Sequence, residues 1–154
     1  MNILGLPENE TKQNVEKLNI LLANFQVYYQ NLRGLHWNIR GKKFFELHVK
    51  FEELYNQSQL RIDEIAERVL TLGGAPLHTF EDYMSLNTIQ IGKNITNDEK
   101  AVELIIDSLS KLLVLEREIL DMAGEINDEG TTSMMSDLIK EQEKDIWMMK
   151  AFLG

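Results

Sequence analysis

The sequence predicts an all-α protein, a four-helix bundle with a short helix in the long crossover between helices two and three. Apolar residues recur at steps of three or four in four separate stretches, the period of a helix with one buried stripe. Nowhere does the alternation of a half-buried strand persist. The segment from Thr71 to Thr96 is too long for a tight hairpin and carries a helix-start signal of its own.

The first helix places Val15, Leu18, Leu22, Phe25, Tyr29 and Leu32 on one stripe. It is expected to run for about 28 residues and to carry on to Leu35 and His36. Pro7 and the polar run Glu8 to Lys12 mark its start. After a Gly41-Lys42-Lys43 turn, the second helix resumes with Phe44, Leu47, Phe51, Tyr55, Ile62, Ile65, Ala66 and Val69. Gly73, Gly74 and Pro76 stop it. Thr79 to Asp82 reads as a capping box on a short helix ending near Leu86. Thr96 to Glu99 reads as another, ahead of a helix with Val102, Ile105, Ile106, Leu109, Leu112, Leu113, Ile119 and Ala123 on one face. After Gly130, Thr131 or Thr132 is expected to open the last helix, with Met135, Leu138, Ile146, Met149 and Leu153 inward. Four long helices with one long crossover make the ferritin-like topology.

The chain of 154 residues suits one domain spanning residues 1–154. No apolar run approaches the roughly 20 residues of a membrane span, and MNILGLPENETKQ lacks the basic start and apolar core of a signal peptide. The absence of cysteine excludes disulfides, thiolate nucleophiles and sulfur-ligated metals, and fits a cytoplasmic protein. A net charge of -9 repels the phosphate backbone of nucleic acid. The local cluster of Arg33, Arg40, Lys42 and Lys43 is the one basic patch, and a solvated interhelical turn accounts for it equally well.

His36, His48, Glu52, Asp63 and Glu67 are the polar residues that could carry chemistry. Asp63 and Glu67 lie four apart and share a helix face. His48, Glu52 and Asp63 point within about 60° of one another around the axis. Height is the obstacle. Fifteen residues separate His48 from Asp63, and at ~1.5 Å each they lie roughly 22 Å apart. Donor atoms on one metal ion sit within about 4.5 Å of each other. One chain cannot bring both to one ion, and His36 is held near the His48 end. Two such helices packed antiparallel about a two-fold axis would level His48 of one chain with Asp63 of the other. A metal site here therefore requires a dimer. Two imidazoles and two carboxylates suit iron(II). The competing reading is plain: two boundary histidines, and a solvated acidic face paired with Arg61 and Arg68.

LHWNIRGKKFFELHVKFEELY, followed by RIDEIAERVLTLGGAPLHT, resembles the Dps family of mini-ferritins, and WMMKAFLG at the end resembles it too. The resemblance covers nearly the whole chain. It implies a dodecameric shell built from two-fold dimers, with di-iron ferroxidase sites shared between subunits. His36 and His48 would be ligands from one subunit. Asp63 and Glu67 would come from its partner, with Glu67 bridging, and Glu52 would support a second, weaker iron. The implied reaction is oxidation of iron(II), preferably by hydrogen peroxide, with storage of ferric mineral and protection from oxidative damage. Trp37 would trap stray one-electron equivalents or anchor an interface, while Trp147 is expected to pack. The acidic Glu125, Asp128, Glu129 and Asp137 are candidates for lining a pore. His78 matches no family ligand. Glu116, on an otherwise apolar stripe, is expected at a subunit contact or a buried polar contact. Family members that bind DNA commonly carry a basic tail. Residues 1–14 hold one basic residue, Lys12, so DNA binding is expected to be weak or absent. A DNA-compacting shell with secondary iron chemistry is the alternative function.

Overall fold

The structure, a computed structural model, describes all residues from Met1 to Gly154. Five helices follow one another: α1 (Glu8–Asn38), α2 (Phe44–Thr71), the short α3 (Phe80–Leu86), α4 (Asp98–Glu125) and α5 (Glu129–Leu153). α1 packs against α2, α4 and α3, and α4 packs against α5. No helix is long and apolar enough to cross a membrane.

The predicted stripes meet in one core. Leu18, Leu22, Phe25 and Leu32 of α1 are buried against Phe51 and Ile65 of α2 and against Ile105, Leu109 and Leu112 of α4. Fully burying a side chain of this size contributes about 1.5–3 kcal/mol. The stripe of α5 is shorter than expected, because Leu153 is 38% exposed. Trp147 does not pack inside the chain either; it is 66% exposed.

The starts of α3, α4 and α5 follow side-chain cap chemistry, twice with a shift from the expected residue. Thr79 caps α3 as predicted, accepting from Asp82 N at 3.1 Å. The cap of α4 is Asn97, which accepts from Lys100 N, and not Thr96. α5 begins two residues before the predicted threonines. Its cap is Asp128, whose Oδ1 accepts from Thr131 N.

The crossover is held along α1 by three asparagines. Asn19 donates to Ala75 O and accepts from Leu77 N. Asn24 accepts from the amide and the hydroxyl of Thr88. Asn31 donates to Gln90 O and accepts from Gly92 N. Gly92 eases this approach: a Cβ there would lie 2.7 Å from Leu104 Cδ2, so the leucine side chain would have to shift. The crossover ends where Arg40 N donates to Thr96 O at 3.0 Å, which fixes the turn after α1.

Asp128 is also the anchor of a buried ion pair. Arg68 of α2 donates to Asp128 Oδ1 at 2.5 Å and to Thr131 Oγ1 at 2.9 Å. Asp128 is 2% exposed. It is therefore withdrawn from the pore-lining set, because its carboxylate is spent on a helix cap and on Arg68 inside the chain. Removing one partner of such a pair strands the other charge. Asp128→Ala is expected to destabilise the fold by about 3 kcal/mol, read by denaturant unfolding, with an unchanged midpoint contradicting this role.

Candidate metal-binding site

α1 and α2 lie antiparallel across a short turn, so the end of one is level with the start of the other. His36 is in the last turn of α1 and His48 in the second turn of α2. Their rings stack with centroids 3.7 Å apart and planes 10° from parallel. Each ring also bonds to the other residue's backbone. His36 Nδ1 lies 2.6 Å from His48 O, and His48 Nδ1 lies 2.8 Å from His36 O. A carbonyl only accepts, so both Nδ1 atoms carry the proton. In the neutral rings both Nε2 atoms then hold a free lone pair. That is the tautomer and orientation that a metal requires, normally set by a supporting acceptor on the other nitrogen.

Aromatic neighbours brace the pair. Phe44 stacks on His48 at 4.9 Å, and Tyr55 meets His36 edge-on at 5.4 Å. The Tyr55 hydroxyl faces Glu52, donating to Oε1 at 3.3 Å. Desolvation and then the Glu52 charge push that hydroxyl upward from its ordinary range, so it stays a donor. Trp37 is 57% exposed and carries the Arg33 guanidinium over its ring at 4.9 Å. Arg33 also sits over Tyr29 at 5.4 Å. Neither Tyr55 nor Tyr29 was singled out from the sequence, and Arg33 was read only as part of the basic patch. Tyr55 and Tyr29 were counted only as members of apolar stripes.

The predicted carboxylates are elsewhere. Glu52, Asp63 and Glu67 are exposed on α2. No group of three or more histidine or carboxylate side chains converges in a metal-holding geometry within the chain. The histidines are thus brought together, and Asp63 and Glu67 are not brought to them. Of the other acidic candidates, Glu125, Glu129 and Asp137 are exposed near the α4–α5 junction. His78 is in an exposed loop, its Nδ1 3.0 Å from Pro76 O.

The unpartnered face of α2 gives those carboxylates a context. Phe45, Val49, Leu60 and Leu70 are all more than half exposed. At 100° per residue they fall on one strip about 80° wide, and Glu52, Asp63 and Glu67 fall on that same strip. An apolar strip of this kind on a folded chain marks a contact surface.

A four-helix bundle with one long crossover is the ferritin-like architecture. The comparisons agree. Residues 15–154 match the ferritin-like domain family. A Dps protein of Vibrio cholerae O1, described as belonging to a broad superfamily of ferritin-like diiron-carboxylate proteins, superposes with a TM-score of 0.98 at 47% identity. That match covers 100% of this chain and 97% of that one. A Dps protein of Bacillus brevis superposes with a TM-score of 0.92 at 34% identity, covering 95% and 98% of the two chains. The DNA protection during starvation protein of Porphyromonas gingivalis is 39% identical over 99% of this chain and 96% of its own. The chain belongs to the Dps family of ferritin-like proteins.

If the carbonyl bonds preset both rings, His36 and His48 bind a divalent cation as a unit. His48→Ala is expected to weaken cobalt(II) binding by at least about 10-fold, because it removes one ligand and the ring stacked on the other, although the backbone carbonyl that His36 Nδ1 bonds stays. Isothermal titration checks this, and unchanged affinity would place the metal elsewhere.

Proposed function

We propose that the protein is a ferroxidase and iron-storage shell, with each site shared by two subunits across a two-fold axis. The observation that carries this is the strip on α2, where exposed apolar residues alternate with the carboxylates that the histidine pair lacks. An axis crossing two antiparallel α2 helices near Asn56 would bury the apolar strips and level His48 with the partner's Asp63. His36 and His48 would then hold iron(II) through Nε2. Asp63 and Glu67 of the partner would complete the set, and Glu52 would hold a second, weaker iron. Twelve subunits assembled from such dimers make the shell that the family resemblance implies.

Hydrogen peroxide is the oxidant in this reading. As a two-electron acceptor it takes one electron from each of two iron(II) ions, and ferric mineral collects inside. Trp37, beside His36 and exposed, would absorb single oxidising equivalents that escape. Glu125, Glu129 and Asp137 would draw cations toward the shell, helped by a charge of -9 on every subunit. The setting proposed is the cytoplasm.

DNA binding is weak or absent in this account. Of the four clustered basic residues, Arg33 is occupied over two aromatic rings and Lys43 lies over the Phe152 ring at 4.2 Å. A gel shift at low and moderate salt tests this; tight binding that survives the higher salt would overturn it.

Two substitutions separate ligation from assembly. Asp63→Ala is expected to abolish fast iron(II) oxidation while the oligomer persists. Leu60→Asp, which leaves every ligand in place, is expected to lose both the oligomer and the activity. Stopped-flow ferric absorbance with size-exclusion chromatography reads both. Rapid oxidation by a monomeric Leu60→Asp variant would refute the shared site.

A further inference from the structure

Glu116 is buried in the α4 stripe at 0% exposure, and Gln142 of α5 faces it at 4%. Gln142 Nε2 donates to Glu116 Oε1 at 2.6 Å. The other two oxygens of this pair, Glu116 Oε2 and Gln142 Oε1, are buried with no partner. If Glu116 were ionised, both would be acceptors only and neither could satisfy the other. One proton resolves both. Placed on Glu116 Oε2 it makes a hydroxyl donor, and the Gln142 carbonyl is the unfilled acceptor on the group already bonded to it.

We propose that Glu116 is a neutral carboxylic acid at neutral pH, closing a two-bond ring with the Gln142 amide, and that this shared proton locks α4 to α5. The surroundings favour the acid. Nothing cationic bonds to Glu116. Arg117, next on α4, turns outward to Glu143. Arg61 of α2 is engaged by Glu141 and Glu64. From α5, Glu141 adds negative charge, and Asp145 and Glu116 both oppose ionisation of the buried Tyr28 of α1. Burial pushes Glu116 up to about 8; the Gln142 bond and the Arg117 charge oppose it, and Glu141 adds to it.

Gln142, though not Glu116, borders a small cavity. It is large enough for about one water and lies between Tyr28, Ser58, Gln142 and Asp145. Asp145 also lines the open cleft between α2 and α5. Burial raises Asp145 to about 6.

The consequence has a definite sign. A carboxyl protonated in the folded chain but ionised in the unfolded one stabilises the fold fully below the unfolded range. That stability is lost as pH rises through about 8. The assembled wild-type protein is expected to lose several degrees of Tm between about pH 6 and about pH 9. Glu116→Gln keeps an amide–amide ring without the titrating proton and is expected to lose much less. Infrared spectroscopy reads the proton directly. At neutral pH a carboxylic-acid carbonyl band should be present, shift on labelling glutamate with heavy carbon, and disappear in Glu116→Gln. If that variant does not fold, the labelled wild type decides alone. Absence of a glutamate-derived acid band at neutral pH would overturn the proposal, as would a Glu116→Gln variant whose Tm profile parallels the wild type.

Discussion

An α-helix cannot shorten, and His48 and Asp63 are fifteen residues apart on one. The roughly 22 Å of rise between them forces any site that uses both to draw on two chains. Other features of the molecule serve that geometry. The short turn after α1 sets His36 against His48, and the exposed strip of α2 offers a second chain somewhere to sit. The three asparagines that bind the crossover to α1 hold the remaining elements in place and leave α2 uncovered along that strip.

The carboxylates of this chain are sorted by environment into different work. On α2, Glu52, Asp63 and Glu67 stay in solvent, open to a cation. Asp128 is buried but fully engaged, by Arg68 and by the start of α5. Glu116 is buried with an amide as its sole partner, where the neutral form costs least. The same functional group thus serves as proposed ligand, cap and proton holder, decided by how much water and how many donors surround it.

The fold was legible because it rests on period and caps, which are local. The α3 cap at Thr79 and the stops at Gly73 and Pro76 read directly from the residues. The caps at Asn97 and Asp128 were each misplaced, because several residues there could cap and the sequence does not choose between them. Asp128 misled further: it looked like loop charge, and only the approach of Arg68 from sixty residues away buries it. Gly130, two residues further on, was a missed signal, since a Cβ there would lie 2.7 Å from the Arg68 guanidinium. The histidines were legible as candidates, but not their exchange of carbonyl bonds, which depends on the tilt of two helices. The dimer requirement, by contrast, needed only the rise per residue.

Complementation between two inactive chains tests the shared site most directly. One chain would carry His36→Ala and His48→Ala, the other Asp63→Ala and Glu67→Ala, with different affinity tags so that mixed assemblies can be isolated after co-expression. Each variant alone should oxidise iron(II) no faster than buffer. In a mixed dimer one of the two sites receives intact histidines from one chain and intact carboxylates from the other, so about half of the wild-type rate per dimer should return. If purified mixed assemblies stay at the buffer rate, the histidines and carboxylates do not act across a two-fold axis, and the account fails at its centre.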